Sequence, residues 1–459
     1  MTATTHTESN NKFPSQIKYI VGNEACERYS YYGMRSILTV FMIQVLLFQE
    51  TKATSVYHLF AGACYLTPLL GAWISDRIWG KYKTILYLSL VYCVGHAVLA
   101  IWETEYGLYA GLGLIALGSG GIKPCVSAHV GDQFKANQQH LLKKVYELFY
   151  FMINFGSFFS TLITPWTLDK YGPSIAFGIP GILMFIATFI FWLGRKEFVH
   201  VPPTKSDGHG LVPVVLSAFR NRSSRTPGTK FLDGAITDHS QDQIEAVRAV
   251  FDIAKLFAAI SVFWALFDQH GSSWIIQAMN MNLVFMGVQF SASQIAAWNP
   301  IMVMGLIPFF SLMVYPFVEK MGIHMSALRR MTWGMFTGAI SFLIIAMIQV
   351  WMDSSADKIN VMWQFFPYLV ITMAEVMISI TGLEFAYTQA PRSMKSSIMS
   401  IWLLTVFFGN LITAYVAEIN FFPVASSGYF FFFAILMALF AVIFWWMAKN
   451  YKIKNYMES

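Results

Sequence analysis

The chain has 459 residues, of which 56% are hydrophobic, 17% aromatic and only 12% charged, with a formal net charge of +6. Soluble domains carry roughly 25% charged residues, so water is not the main solvent of this chain. Its positive balance needs no nucleic acid to explain it, because the basic residues follow membrane topology, as set out below.

Apolar residues gather into runs of about 20, the length that crosses a hydrocarbon core about 30 Å thick at 1.5 Å per residue. The predicted spans are 25–48, 54–76, 83–103, 106–128, 143–166, 173–194, 250–275, 294–318, 327–351, 362–387, 396–419 and 428–448. Lipid offers no partner to backbone polar groups, so runs of this length and apolarity are helices. The expected fold class is an all-α membrane protein of twelve transmembrane helices.

A charge near the bilayer centre costs about 2.5 kcal/mol or more, so it calls for a partner or a pathway. Span 1 carries Glu24, Glu27, Arg28, Tyr31 and Arg35, and helical spacing puts all five on one face. Two acids and an arginine within a turn can share protons and hydrogen bonds. Span 2 offers Tyr57, His58 and Tyr65, and histidine titrates near neutrality, as a proton sensor must. After it comes the turn Gly71-Ala-Trp-Ile-Ser-Asp76-Arg77-Ile-Trp-Gly80-Lys81-Tyr-Lys83, one acid among several bases.

Span 4 ends in Gly118-Ser-Gly120-Gly121-Ile-Lys123-Pro124. Its glycines permit close helix approach, Pro124 bends the helix, and Lys123 requires an anion. No Gly-Lys-Ser/Thr follows and no strand precedes, so this is not a nucleotide loop and the chain has no ATP-driven mechanism of its own. Span 5 places Asn154 near mid-membrane.

The polar stretch from Arg195 to Arg248 divides six spans from six, the layout with which two-bundle transporters hold a substrate site at the midplane. The expected domains are an amino-terminal bundle 1–194, a cytoplasmic linker 195–249 and a carboxyl-terminal bundle 250–459. Beyond the linker, span 7 sets Trp264 one turn from Asp268, span 8 sets Asn299 before Pro300, span 10 holds Glu375, and span 11 holds Trp402 and Asn410.

Residues 1–20 lack the apolar core of a signal peptide, so both termini are expected in the cytoplasm. On that orientation 24 Lys and Arg fall in cytoplasmic segments and three, Lys52, Lys170 and Lys358, on the other side. This is the asymmetry that positive loops impose. The four cysteines make no metal spacing and are expected to be free thiols, and no metal site is expected.

The turn after span 2 resembles the signature loop of the major facilitator superfamily. Taken with Glu24-x-x-Glu27-Arg28, Tyr65-Leu-Thr-Pro, Gly-Gly-Ile-Lys123-Pro, Asn154-x-Gly, Phe-Trp264-Ala-Leu-Phe-Asp268-Gln, and Glu375 followed by Trp402, it makes the chain resemble the proton-dependent oligopeptide transporter family of that superfamily, over both halves. The resemblance implies the major facilitator superfamily fold in two six-helix bundles. It implies a proton-coupled symporter of di- and tripeptides working by alternating access in the plasma membrane. Arg35 and Lys123 would hold the peptide carboxylate, and Asn154, Asn299 and Glu375 its amino terminus. Tyr31, Tyr32, Tyr65, Trp264 and Trp402 would wall the side-chain pockets. Glu24, Glu27, Arg28, His58 and Asp268 would couple the proton. Arg35 with Asp268 would latch the outer gate, and Lys123 with Glu375 the inner.

One charge crossing 100 mV yields about 2.3 kcal/mol, and a tenfold gradient costs about 1.4 kcal/mol, so one proton can drive more than tenfold accumulation. No cofactor is expected beyond protons, and the chain is expected to be a monomer among membrane lipids, without enzyme activity. Short loops favour a bacterial inner membrane. The sequence departs from the family in lacking an apolar run in 196–248 for the two extra helices of bacterial members, in His129-Val130 where Phe-Gly is usual, and in Phe155 after Asn154. A same-fold carrier of nitrate or another small organic anion is the alternative, against which Glu375 with Asn154 and Asn299 supply an amine receptor.

Overall fold

The computed structural model describes residues 13–135, 138, 141–203, 210–222, 230–391 and 394–451, apart from the side chain of Lys143. Of the basic residues counted above, Lys12, Lys205, Arg225, Arg392, Lys452 and Lys454 lie outside the described residues, as does most of the amino-terminal stretch read for a signal peptide.

Fifteen helices matter to the site. In chain order they are α1 (Ile17–Val40), α2 (Glu50–Ile74), α3 (Gly80–Ile101), α4 (Glu105–Asp132), α5 (Leu142–Tyr171), α6 (Pro173–Leu193), α7 (Leu211–Arg220), α8 (Gln241–Phe267), α9 (Ser273–Met279), α10 (Trp298–Phe309), α11 (Tyr315–Lys320), α12 (Ala327–Ser354), α13 (Phe365–Gln389), α14 (Lys395–Ile419) and α15 (Ser427–Asn450). Among the described residues the only sheet is a hairpin pairing Val284–Phe285 with Val288–Gln289.

Ten helical stretches are long and apolar enough to cross a membrane. One of them, Glu50–Ile101, holds both α2 and α3, which Gly80 separates with a φ of +74°. Helix α1 falls outside the ten because Glu24, Glu27, Arg28 and Arg35 lower its hydropathy. With these two allowances the twelve expected spans are accounted for. The first and seventh start earlier than expected, at Ile17 and Gln241 rather than 25 and 250. Helix geometry does not stop where apolarity stops: Ser240 caps α8 by accepting from the Gln243 amide, and a polar turn follows before the apolar run begins.

Helices α1 to α6 pack as α3 on α4 and α6, α1 on α5 and α6, and α2 on α4. The later helices pack as α12 on α13 and α15, α8 on α14 and α15, and α10 on α13. Two seams join the sets, α2 against α14 and α5 against both α10 and the turn at Ala292–Ala297. The glycines of α4 have the expected role: a Cβ at Gly71 of α2 would stand 2.1 Å from the Gly121 carbonyl oxygen, and one at Gly120 would stand 1.7 Å from Thr67 Oγ1. Backbones this close leave no room for side chains.

Among the described residues of the polar connection between α6 and α8 no helix is long enough to span a membrane, in agreement with the sequence, yet these residues are folded. Helix α7 buries Val214, Ser217 and Ala218. Ser217 donates to Asp238, which also accepts from Asn221 Nδ2 at 2.8 Å, and Arg248 pairs with Asp233 and Glu245.

Candidate functional site

Between the two sets of helices lies a cavity of about 170 Å³. From one side it is lined by Tyr32 and Arg35 of α1, Tyr57 and Tyr65 of α2, and Ser157 and Thr161 of α5; from the other by Trp264, Asp268, Asn299 and Glu375. A larger hollow of about 690 Å³ lies between the end of α5 and the β hairpin, with Asp169 and Lys170 as its only charged lining.

The end of the cavity expected to face outward is closed by a charge cluster. Helix α8 stops at Phe267 and the chain tightens over Asp268–Gly271 before α9, which turns Asp268 toward α1. Arg35 donates through Nη2 to Asp268 Oδ1 at 2.5 Å and through Nε to the Tyr57 hydroxyl at 2.8 Å. Asn410 Nδ2 donates to the other Asp268 oxygen at 2.6 Å, so its Oδ1 is left to accept, and His58 Nδ1 stands 2.7 Å from it. The proton therefore belongs on His58 Nδ1, leaving Nε2, 2.8 Å from Ser272 Oγ, to take a hydroxyl proton when the ring is neutral. Thr39 Oγ1 donates to the Gly271 carbonyl at 2.7 Å across the same closure. A Cβ at Gly271 would meet the Tyr57 hydroxyl at 1.8 Å, so the two halves close only over a glycine.

A second cluster sits on α1, toward its amino end. Arg28 Nε donates to Glu24 at 2.6 Å and lies 3.2 Å from Glu27. The Glu27 contact is close but poorly aligned: both Glu27 oxygens are buried without a hydrogen-bond donor in place. Lys123, from α4, holds its ammonium 4.6 Å from the Tyr31 ring centre and 4.7 Å from that of Tyr65, a cation–π sandwich with the Glu27 carboxylate close enough to act on its charge.

On the facing side Glu375 accepts from Asn299 Nδ2 at 2.8 Å, and Asn299 also reaches Thr372 Oγ1 at 3.1 Å. Asn154 donates to the Tyr150 carbonyl of its own helix at 2.9 Å.

Of the residues singled out in the sequence, Tyr32, Arg35, Tyr57, Tyr65, Trp264, Asp268, Asn299 and Glu375 share the cavity. Tyr31, Lys123, Asn154 and Trp402 do not line it, and Glu24, Glu27, Arg28 and His58 stand outside it as well. Arg35 and Asp268 are paired as expected, whereas Lys123 and Glu375 form no ion pair among the described residues. Ser272, the part of Tyr57 in holding Arg35 and the bridging place of Asn410 were not assigned from sequence; an isolated amide in an apolar span was the only signal for the last. Among the described residues no group of three His, Cys, Asp or Glu could hold a metal, and the four cysteines are free.

The POT family model matches residues 82–426. The in meso crystal structure of the POT family transporter PepTSo is 40% identical, covers 97% of this chain and 99% of its own, and superposes with a TM-score of 0.91. Human solute carrier family 15 member 2 is 37% identical over 401 residues, 82% of this chain and 54% of its own length. Peptide transporter 3 of Caenorhabditis elegans is 37% identical over 78% of this chain and 53% of its own. This chain thus spans about half the length of the curated relatives it matches.

Proposed function

Since the chain belongs to the POT family, the proton-dependent oligopeptide transporters of the major facilitator superfamily, we propose that it is a proton-coupled symporter importing di- and tripeptides by alternating access. The observation that carries this reading is one small cavity with a cation, Arg35, on one wall and an anion, Glu375, on the other, from opposite sets of helices. A zwitterion needs two such poles. An inorganic or small organic anion needs only the first, and the Glu375–Asn299 pair would repel it or go unused.

Arg35 serves two masters. Bound to Asp268 it holds the outward side shut; it also lines the cavity, where its guanidinium can take a peptide carboxylate. A proton taken up by Asp268 removes the attraction, and His58, hydrogen-bonded to the Asn410 that holds Asp268, is the titratable base beside the pair. Glu27, whose oxygens lack aligned donors, is the acid best placed to take a proton on the inner side, beside Arg28 and Lys123. An outer pair formed and an inner pair, Lys123 with Glu375, unformed is the arrangement of an inward-facing state. Aromatic walls from Tyr32, Tyr65 and Trp264 give contact area without demanding one side-chain type.

The bundles are assigned to 1–194 and 250–459, joined by the cytoplasmic linker 195–249. Both termini are placed in the cytoplasm, the membrane is the bacterial inner membrane, and the working unit is a monomer that catalyses no chemical reaction and is driven by protons without a cofactor. Uptake of labelled dialanine into proteoliposomes with an acid-outside gradient, set against a collapsed gradient and against labelled nitrate, tests the reading. Gradient-dependent dialanine accumulation that Glu375→Gln abolishes is expected; equal uptake with and without the gradient removes proton coupling, and preference for nitrate removes peptides.

A further inference from the structure

Trp402 is 4% exposed and stands behind Trp264 rather than in the cavity wall. Its indole makes edge-on contacts with Phe257, ring centres 5.0 Å apart, and with Trp264 at 6.2 Å. The benzo ring fills the space over Gly382 of α13: a Cβ there would be 2.0 Å from Trp402 Cη2 and 2.3 Å from Cζ3. Carbon atoms in contact keep about 3.5–4.0 Å, so only glycine lets the ring occupy this place. Gly382 is seven residues from Glu375, two helical turns along the same face of α13.

We propose that Gly382 is a specificity-determining residue: it seats the Trp402 indole away from the substrate chamber and so sets how large a peptide side chain the chamber accepts. This inference rests on the peptide-transport reading. Any side chain at position 382 must expel the ring. Phe257 blocks one edge, and the displaced indole moves toward Trp264 and the chamber that Trp264 shares with Glu375. In a cavity of about 170 Å³, part of an indole is a large share of the space.

The test compares KM for labelled dialanine and for phenylalanyl-phenylalanine in proteoliposomes. Gly382→Ala should raise KM for the bulky peptide by about tenfold or more relative to dialanine, within the range that small steric changes in a pocket produce. In the Trp402→Leu background the same Gly382→Ala change should leave the ratio untouched, since no ring remains to displace; this comparison also stands if the single variant fails to fold. A readout free of transport is the fluorine NMR signal of 5-fluorotryptophan at position 402, assigned with Trp402→Phe, which should shift in Gly382→Ala. An unmoved signal overturns the seat, and a moved signal with KM for both peptides changed alike overturns the specificity role. If wild-type protein takes up neither peptide, the transport reading itself fails and the specificity role falls with it, whereas a moved signal would keep the seat as a fact of packing.

Discussion

Arg35 and Asp268 are buried, and their contact spans 233 positions of chain. A buried ion pair that loses one partner leaves an uncompensated charge, at a cost of about 3–5 kcal/mol. Asp268→Asn should therefore lower the thermal stability of the detergent-solubilised protein by an amount in that range and bias it toward an outward-open state. Thermal unfolding checks the first effect, and labelling of a cysteine introduced at Ser36 from the outer side checks the second. Gly271→Ala acts on the same closure by steric means, because its methyl would overlap the Tyr57 hydroxyl. We expect it to leave Ser36→Cys open to outside reagent and to stop uptake, while keeping peptide-free protein folded. The charges were legible in the sequence because ionisable groups stand out in apolar spans. Asn410 was not read as a bridge, since nothing local reveals that a residue 142 positions from Asp268 completes its shell. Lys123 was read as needing an anion; Glu27 is near enough to act on it, but among the described residues it forms no direct ion pair and rests on two aromatic faces, and a π-face leaves no charge signature for a sequence to display.

Helix α4 shows how far periodicity and composition reach. Its Gly118-Ser-Gly-Gly121 run announced close packing, and Gly120 and Gly121 indeed touch Thr67 and Gly71 of α2. Overpacking costs about 1–3 kcal/mol; Gly120→Val should show at least that loss in thermal unfolding, together with a fall in uptake, because α2 carries Tyr57, His58 and Tyr65. The span boundaries erred where the helix outruns the bilayer, at the starts of α1 and α8, since polar turns continue a helix without adding hydropathy. Helix α7 was missed for the opposite reason: ten residues are too few to register as a span, and its docking depends on Asp238. Hydrogen bonds from Ser217 first, then Asn221, hold the Asp238 carboxyl below its ordinary value. A depressed value means the clamp is complete at neutral pH and is lost only as pH falls through that lowered value. Asp238→Asn should accordingly leave the pH profile of uptake unchanged between about pH 5 and 8.

Across the whole molecule, the closure we assign to the outer side has two parts, one that the family resemblance led us to expect and one that the sequence did not show. Besides the Arg35–Asp268 pair, the segment between the β hairpin and α10 straps onto α5, with Ser291 donating to Asp169 and Gln294 Nε2 donating to the Leu162 carbonyl at 2.8 Å. Alternating access requires both to part. Joining Ser291→Cys to Asp169→Cys with a short bifunctional reagent should therefore arrest uptake, and reductive cleavage of the link should restore it. The charge-bearing cavity between the halves is the reason to regard this motion as the vehicle of coupled transport. Its most direct test is proton movement itself: proteoliposomes loaded with a pH-sensitive dye, without an imposed gradient, are given external dialanine. The account predicts that the interior acidifies as peptide enters, and that Glu375→Gln abolishes the signal; peptide entry with no change in internal pH would contradict it.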